Sequence, residues 1–138
     1  MKEWDNASPL YPELPIRKWI RENIPRGQEG YNIEDLDLII LRFGNAIGRD
    51  YGADGEFILC ECKENKPLLP YKQKRTFQLL DRLLKEADPQ EKHYKGFYLV
   101  CWDGKREVVQ VNSDIINQKE FVLFLKGKLQ LKPYNFGR

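Results

Sequence analysis

The chain has 138 residues, is 41% hydrophobic and 12% aromatic, and carries a net charge of +2. A chain of this length and composition holds one core, so a single domain over 1–138 is expected and a disordered polymer is excluded. No apolar run reaches the roughly 18–20 residues of a membrane span, and the polar start Met1-Lys2-Glu3-Trp4-Asp5 is unlike a signal peptide; a cytoplasmic protein with no membrane partner is the expectation.

Pro9 and Pro12 make 1–12 an irregular arm. Residues 14–23 are predicted as a helix, with Leu14, Ile16, Trp19 and Ile20 apolar and Pro25 and Gly27 ending it. Residues 36–43 are apolar almost throughout and read as a strand buried on both faces. Gly44, Gly48, Gly52 and Gly55 make 44–55 a loop or distorted hairpin, and without Gly-Lys-Ser/Thr it is no phosphate-binding P-loop. Residues 56–63 form the second predicted strand. A long helix follows over 71–87, with Phe77, Leu80, Leu84 and Ala87 on its apolar face, Asp81 and Asp88 solvated, and Asp88-Pro89 as its stop. Residues 96–102 read as a third strand, Asp103-Gly104 as a turn and 106–111 as a fourth strand antiparallel to the third. An amphipathic helix is predicted over 117–129, capped near Ser113 or Asn117, before a basic, aromatic tail at 130–138. The strand–helix–strand crossover of 56–102 makes its two strands parallel, and the first two strands are antiparallel neighbours. The expected fold is α/β, a mixed four-stranded sheet with flanking helices.

Charge is unevenly divided. Residues 1–62 hold 7 Lys/Arg against 12 Asp/Glu, and residues 63–138 hold 16 against 9. A basic second half suits a phosphate-binding surface, with Lys66, Lys72, Lys74 and Arg75 as the candidate contacts and the tail from Lys126 to Arg138 as the alternative track. The three cysteines, Cys60, Cys62 and Cys101, fall on or beside strands and read as small core residues rather than a disulfide framework.

The chemistry-bearing pattern is Glu61-Cys62-Lys63, which closes the apolar run Phe57-Ile58-Leu59-Cys60. A second triplet, Glu64-Asn65-Lys66, lies past the strand before Pro67 and reads as a solvated turn. Side chains alternate along a strand, so Glu61 and Lys63 share a face. Asp37, at the start of the preceding strand, approaches Glu61 if the strands pair; Asp35 shares its face and is the rival. Two carboxylates at a sheet mouth suit Mg²⁺ or Mn²⁺, hard ions that favour oxygen and retain water, with the Cys62 main-chain carbonyl as a further donor. Lys63 then stands where it orients water or stabilises a phosphorane. An ordinary ion pair between Glu61 and Lys63 is the simpler alternative, but a charged pair closing so apolar a run costs desolvation unless compensated.

Asp on one strand, Glu-x-Lys ending the next, then an amphipathic helix and a further strand resemble the PD-(D/E)XK nuclease superfamily, over roughly residues 14–102. That group includes restriction endonucleases, junction resolvases and RecB-like and VRR-type nuclease domains. The resemblance implies a restriction-endonuclease-like fold, Asp37 and Glu61 as metal ligands, and Lys63 as the catalytic lysine. Many members carry a glutamine early on the following helix, a role that Gln73 or Gln78 fills here, Gln73 being preferred because the first turn lies nearest the strand ends. Some use a glutamate on the first helix, which Glu22 matches. Leu36 stands where the family places proline.

The expectation is therefore a Mg²⁺-dependent nuclease acting on nucleic acid, with DNA favoured and a homodimer open to it. A nuclease-like nucleic-acid-binding module without cleavage is the alternative, and an accessory protein with a structural role is a third reading. The lone histidine, His93, leaves no place for a serine–histidine triad or HNH chemistry.

Overall fold

The computed structural model describes residues 15–23, 35–43, 55–64 and 66–137. The predicted arm at 1–12, the breakers Pro25 and Gly27, and the glycine-rich segment up to residue 54 lie outside the described residues. The chain divides into two compact units, Met1–Ile33 and Glu34–Arg138. In the first, helix α1 spans Pro15–Asn23. It opens on a proline, whose missing N–H costs nothing at a first helical position.

The second unit is built on a five-stranded mixed sheet in sequential order: β1 (Leu38–Arg42), β2 (Glu56–Lys63), β3 (Tyr94–Cys101), β4 (Val108–Val111) and β5 (Asp114–Asn117). β1 and β2 are antiparallel, β2 and β3 parallel, and β3, β4 and β5 antiparallel in turn. Helix α2 (Tyr71–Ala87) supplies the crossover between the parallel pair. Alternation divides the core into two. On one face Ile58, Cys60, Tyr98, Val100, Val109, Val111 and Ile116 pack with Phe124 of helix α3 (Gln118–Leu125). On the other, Leu59, Phe97 and Leu99 pack with Phe77 of α2. Phe77 is fully buried, and truncating such a side chain to alanine costs about 3–5 kcal/mol.

The sheet has five strands where four are expected. Ser113 does not cap a helix: with Asn112 it makes the two-residue turn between β4 and β5, Val111 pairing with Asp114. Asn112 takes a φ of 55° there, a conformation that a short polar side chain tolerates. Asn117 does cap α3, in a capping box where its Oδ1 accepts the Glu120 N–H at 2.7 Å and Glu120 Oε1 accepts the Asn117 N–H at 3.0 Å. The helix is shorter than 117–129 because Gly127, at φ 78°, stops it. The Gly127 and Lys128 N–H groups return to the carbonyls of Phe124 and Leu123, the Schellman pattern.

The prediction that 36–43 is buried on both faces is also corrected. Leu38 and Ile40 face the α3 core, but Ile39 and Leu41 are exposed, because β1 is an edge strand and α2 packs on β3. Its last residue, Arg42, is buried and donates to the Leu125 carbonyl at 3.0 Å, setting a cation at the negative end of α3. On α2 the buried face runs through Phe77 and Asp81, whereas Leu80 and Ala87 are exposed. Asp81, read as solvated, is 1% exposed. It accepts the Tyr94 hydroxyl at 2.5 Å and pairs with Lys85 at 2.9 Å. Asp88, also read as solvated, is half-buried and accepts the N–H groups of Lys92, His93 and Tyr94. These bonds to the charged form hold its carboxyl below the ordinary range.

The tail is part of the core. Phe136 is buried against Phe97 and the Tyr134 N–H donates to the Phe97 carbonyl at 2.7 Å. A bulge in β3 admits it: Phe57 pairs with Tyr94 but Leu59 with Phe97. Gly96 lies in that bulge at φ 119°, where a Cβ would stand 2.8 Å from the Pro133 ring. Among the described residues no helix is long and apolar enough to cross a membrane.

Candidate active site

The register of β1 on β2 pairs Leu38 with Cys60. Continued by one residue, it sets Asp37 opposite Glu61, and residues directly opposite across a pair share a face. Regular pairing ends there, and the Asp37 side chain continues it: its Oδ2 accepts the Cys62 N–H at 2.8 Å. Asp37 is thus bonded directly to β2. The N–H and C=O of one strand residue point to the same side, so the Cys62 carbonyl is directed toward Asp37 as well.

Glu61 is 3% exposed. Its Oε2 accepts from Lys63 Nζ at 3.3 Å and from Gln73 Nε2 at 3.2 Å, and Lys63 Nζ donates to Gln73 Oε1 at 2.7 Å. The three side chains close a triangle. β2 sets Glu61 and Lys63 on one face by alternation, and the first turn of α2 brings Gln73 over them. Glu61 Oε1 is buried without a hydrogen-bond partner. Burial first, and then the Asp37 carboxylate, push the Glu61 carboxyl up from 4.5 to about 7, with Lys63 acting in the opposite sense.

These groups form a one-sided arrangement. Two carboxylates face each other, a buried oxygen lacks a partner, and the nearby cation is turned to one side of Glu61. Asp37, Glu61 Oε1 and the Cys62 carbonyl are the oxygens of this arrangement that could hold a cation. Among the described residues no group of three or more His, Cys, Asp or Glu side chains is placed to hold a metal ion. Mg²⁺ is commonly held by one or two carboxylates, keeping several waters, and the all-oxygen set of Asp37, Glu61 and the Cys62 carbonyl fits it.

The candidate phosphate contacts surround this triangle unequally. Lys72 and Arg75 are exposed and Lys74 half-buried in the opening turns of α2, whose first turn carries no acidic residue. Lys66 is exposed beyond the end of β2, so the second Glu-x-Lys lies off the strand as expected. Gln78 lies more than a turn beyond Gln73. Glu22 lies on α1 in the first unit. Cys60 is buried, but Cys62 is exposed rather than a core residue, because β1 has ended at its level.

Trp102 and Arg106, beside the site, are read in the sequence only as the end of one strand and the start of the next. The Trp102 N–H donates to the Lys63 carbonyl at 3.0 Å, and the Trp102 indole N–H donates to the Arg106 carbonyl at 2.9 Å. The available signal was a tryptophan at the mouth of a strand parallel to the Glu-x-Lys strand. The chain matches no family model, no curated protein and no solved structure.

Proposed function

We propose that this protein is a metal-dependent nuclease of the PD-(D/E)XK type, with a restriction-endonuclease-like core, that hydrolyses phosphodiester bonds of nucleic acid, DNA in the first instance. The observation that carries the reading is the opposition of Asp37 and Glu61, with Glu61 Oε1 buried and unpaired beside the Lys63–Gln73 pair. An ordinary ion pair needs neither the second carboxylate nor the orphaned oxygen.

In this reading Asp37, Glu61 and the Cys62 carbonyl hold Mg²⁺ or Mn²⁺. When bound, the cation supplies Lewis-acid stabilisation of the reacting phosphate and acidifies water. Lys63 offers its ammonium to the charge that grows on the phosphate oxygens in the transition state. Gln73 aligns Lys63 through its Oε1 and fixes the Glu61 carboxylate through its Nε2. Lys72, Lys74 and Arg75 draw the phosphate backbone toward the N-terminal end of α2, whose dipole adds to the attraction.

The experiment is incubation of single-stranded, nicked, duplex and branched DNA with the full chain in Mg²⁺, in Mn²⁺ and in EDTA. Cleavage in either metal and none in EDTA supports the proposal. Metal-independent binding of the same substrates without any cleavage replaces it with the binding-module alternative.

A further inference from the structure

On the α2 face, the sheet does not end at Lys63. Lys63 pairs with Cys101, Cys101 with Gln110, and Gln110 with Ile115, and paired residues share a face. Val108 and Ile115 are exposed and Gln110 half-buried, so this part of the face is open. It forms a cleft of about 200 Å³ floored by Cys101, Gln110 and Ile115 and walled by Glu64, Trp102 and Arg106. Pockets for drug-sized ligands run to roughly 300–1,000 Å³, so this one takes a single ring system.

Its aromatic wall is fixed in place. The Trp102 backbone is bonded to the Lys63 carbonyl and its indole N–H to the Arg106 carbonyl, while Asp103 Oδ1 accepts the N–H groups of Lys105 and Arg106. An exposed tryptophan held this way offers a flat face at little entropic cost. Beside it the Arg106 side chain, 80% exposed, pairs loosely with Asp103 at 3.9 Å, and Gln110 and Glu64 add polar groups to the lining. A ring face, a cation and edge-facing hydrogen-bonding groups, one strand from Lys63, match the base, phosphate and base edge of a nucleotide.

Resting on the nuclease reading, we infer that this cleft binds one unpaired base of the nucleic-acid strand, stacked on Trp102, next to the phosphate presented to Lys63. A base stacked within a duplex cannot enter such a cleft without being extruded. The substrate class is accordingly a strand with an unpaired nucleotide at the cut: single-stranded DNA, a flap or a frayed end.

The test measures binding by fluorescence anisotropy, in EDTA, with the full chain. The probes are a short single-stranded DNA and an oligonucleotide of equal length whose sugars carry no bases. Base–aromatic stacking predicts that Trp102→Ala weakens binding of the base-bearing strand by roughly fivefold or more. The abasic strand should bind wild type and variant alike, and Trp102→Phe should restore most of the lost affinity. Equal losses on both strands reduce Trp102 to a structural role and overturn the inference, as does no loss on either. Metal-dependent cleavage with no Trp102 effect leaves the nuclease and removes the cleft. A Trp102-dependent preference for bases without cleavage in any metal removes the nuclease and leaves the cleft. Failure of wild type to bind either strand removes the cleft outright.

Discussion

Lys63 Nζ donates to Gln73 Oε1 at 2.7 Å, which ties the last residue of β2 to the first turn of α2. Gln73 also donates to Glu61 at 3.2 Å, so it fixes the relative placement of the cation and the carboxylate. A hydrogen bond to a charged group contributes about 1.5–3 kcal/mol. Gln73→Ala should therefore slow cleavage at least about tenfold, while Gln78→Ala, farther along the helix, leaves the rate near wild type. Single-turnover rates on one DNA substrate separate the two. Equal rates for both variants contradict a positioning role for Gln73.

The raised Glu61 carboxyl predicts a stability that depends on pH and metal. Its value moves from 4.5 to about 7 on folding, so between these the folded chain holds a proton that the unfolded chain has released. Stability without metal should then fall as pH rises from about 4.5 through about 7. The full loss lies on the order of 1–3 kcal/mol. Glu61→Gln should flatten this dependence and raise Tm at pH 8. A divalent ion favours the charged form, so Mg²⁺ should raise the wild-type Tm more at pH 8 than at pH 5.5 and leave the variant unmoved. Thermal melts at both pH values, with and without metal, check all three.

The opening turns of α2 carry Lys72, Lys74 and Arg75. Phosphate contacts release counterions, so the logarithm of affinity falls with the logarithm of salt, with a slope near −0.7 per contact for a single strand. Replacing all three by glutamine should weaken single-stranded DNA binding and flatten that slope by about 1–2 units. An unchanged slope moves the phosphate track to other basic residues. The aromatic residues Tyr134 and Phe136 of the tail pack into the core, but Lys126, Lys128 and Lys132 are exposed and form the alternative track.

The grouping of Glu61, Lys63 and Gln73 was more legible in the sequence than the sheet that carries it. Glu61 and Lys63 stood out because charges closed an apolar strand, and Gln73 through the resemblance, which calls for a glutamine in the helical turn nearest the strand ends. β5 was hidden because Asp114-Ile115-Ile116-Asn117 is short and flanked by residues that are equally good helix caps. β1 looked buried on both faces because Ile39 and Leu41 are apolar, yet an edge strand leaves them exposed. Asp81 gave no signal, since burying a carboxyl depends on a hydroxyl 13 residues away on β3. The cleft at Trp102 left only the tryptophan at a strand mouth as its signal, because its lining comes from separate strands and turns brought together by packing and not from any motif.

Lys63 and Lys66 each end a Glu-x-Lys triplet, but only Lys63 lies on the strand and contacts a glutamate and a glutamine. The most direct measurement is the rate at which wild type, Lys63→Ala and Lys66→Ala cleave one single-stranded DNA in Mg²⁺, with EDTA as the blank. The expected result is cleavage by wild type and Lys66→Ala at similar rates, and a loss of at least about tenfold in Lys63→Ala. Equal cleavage by the two variants, or no cleavage by any of the three proteins, contradicts the assignment of Asp37, Glu61 and Lys63 as a nuclease site.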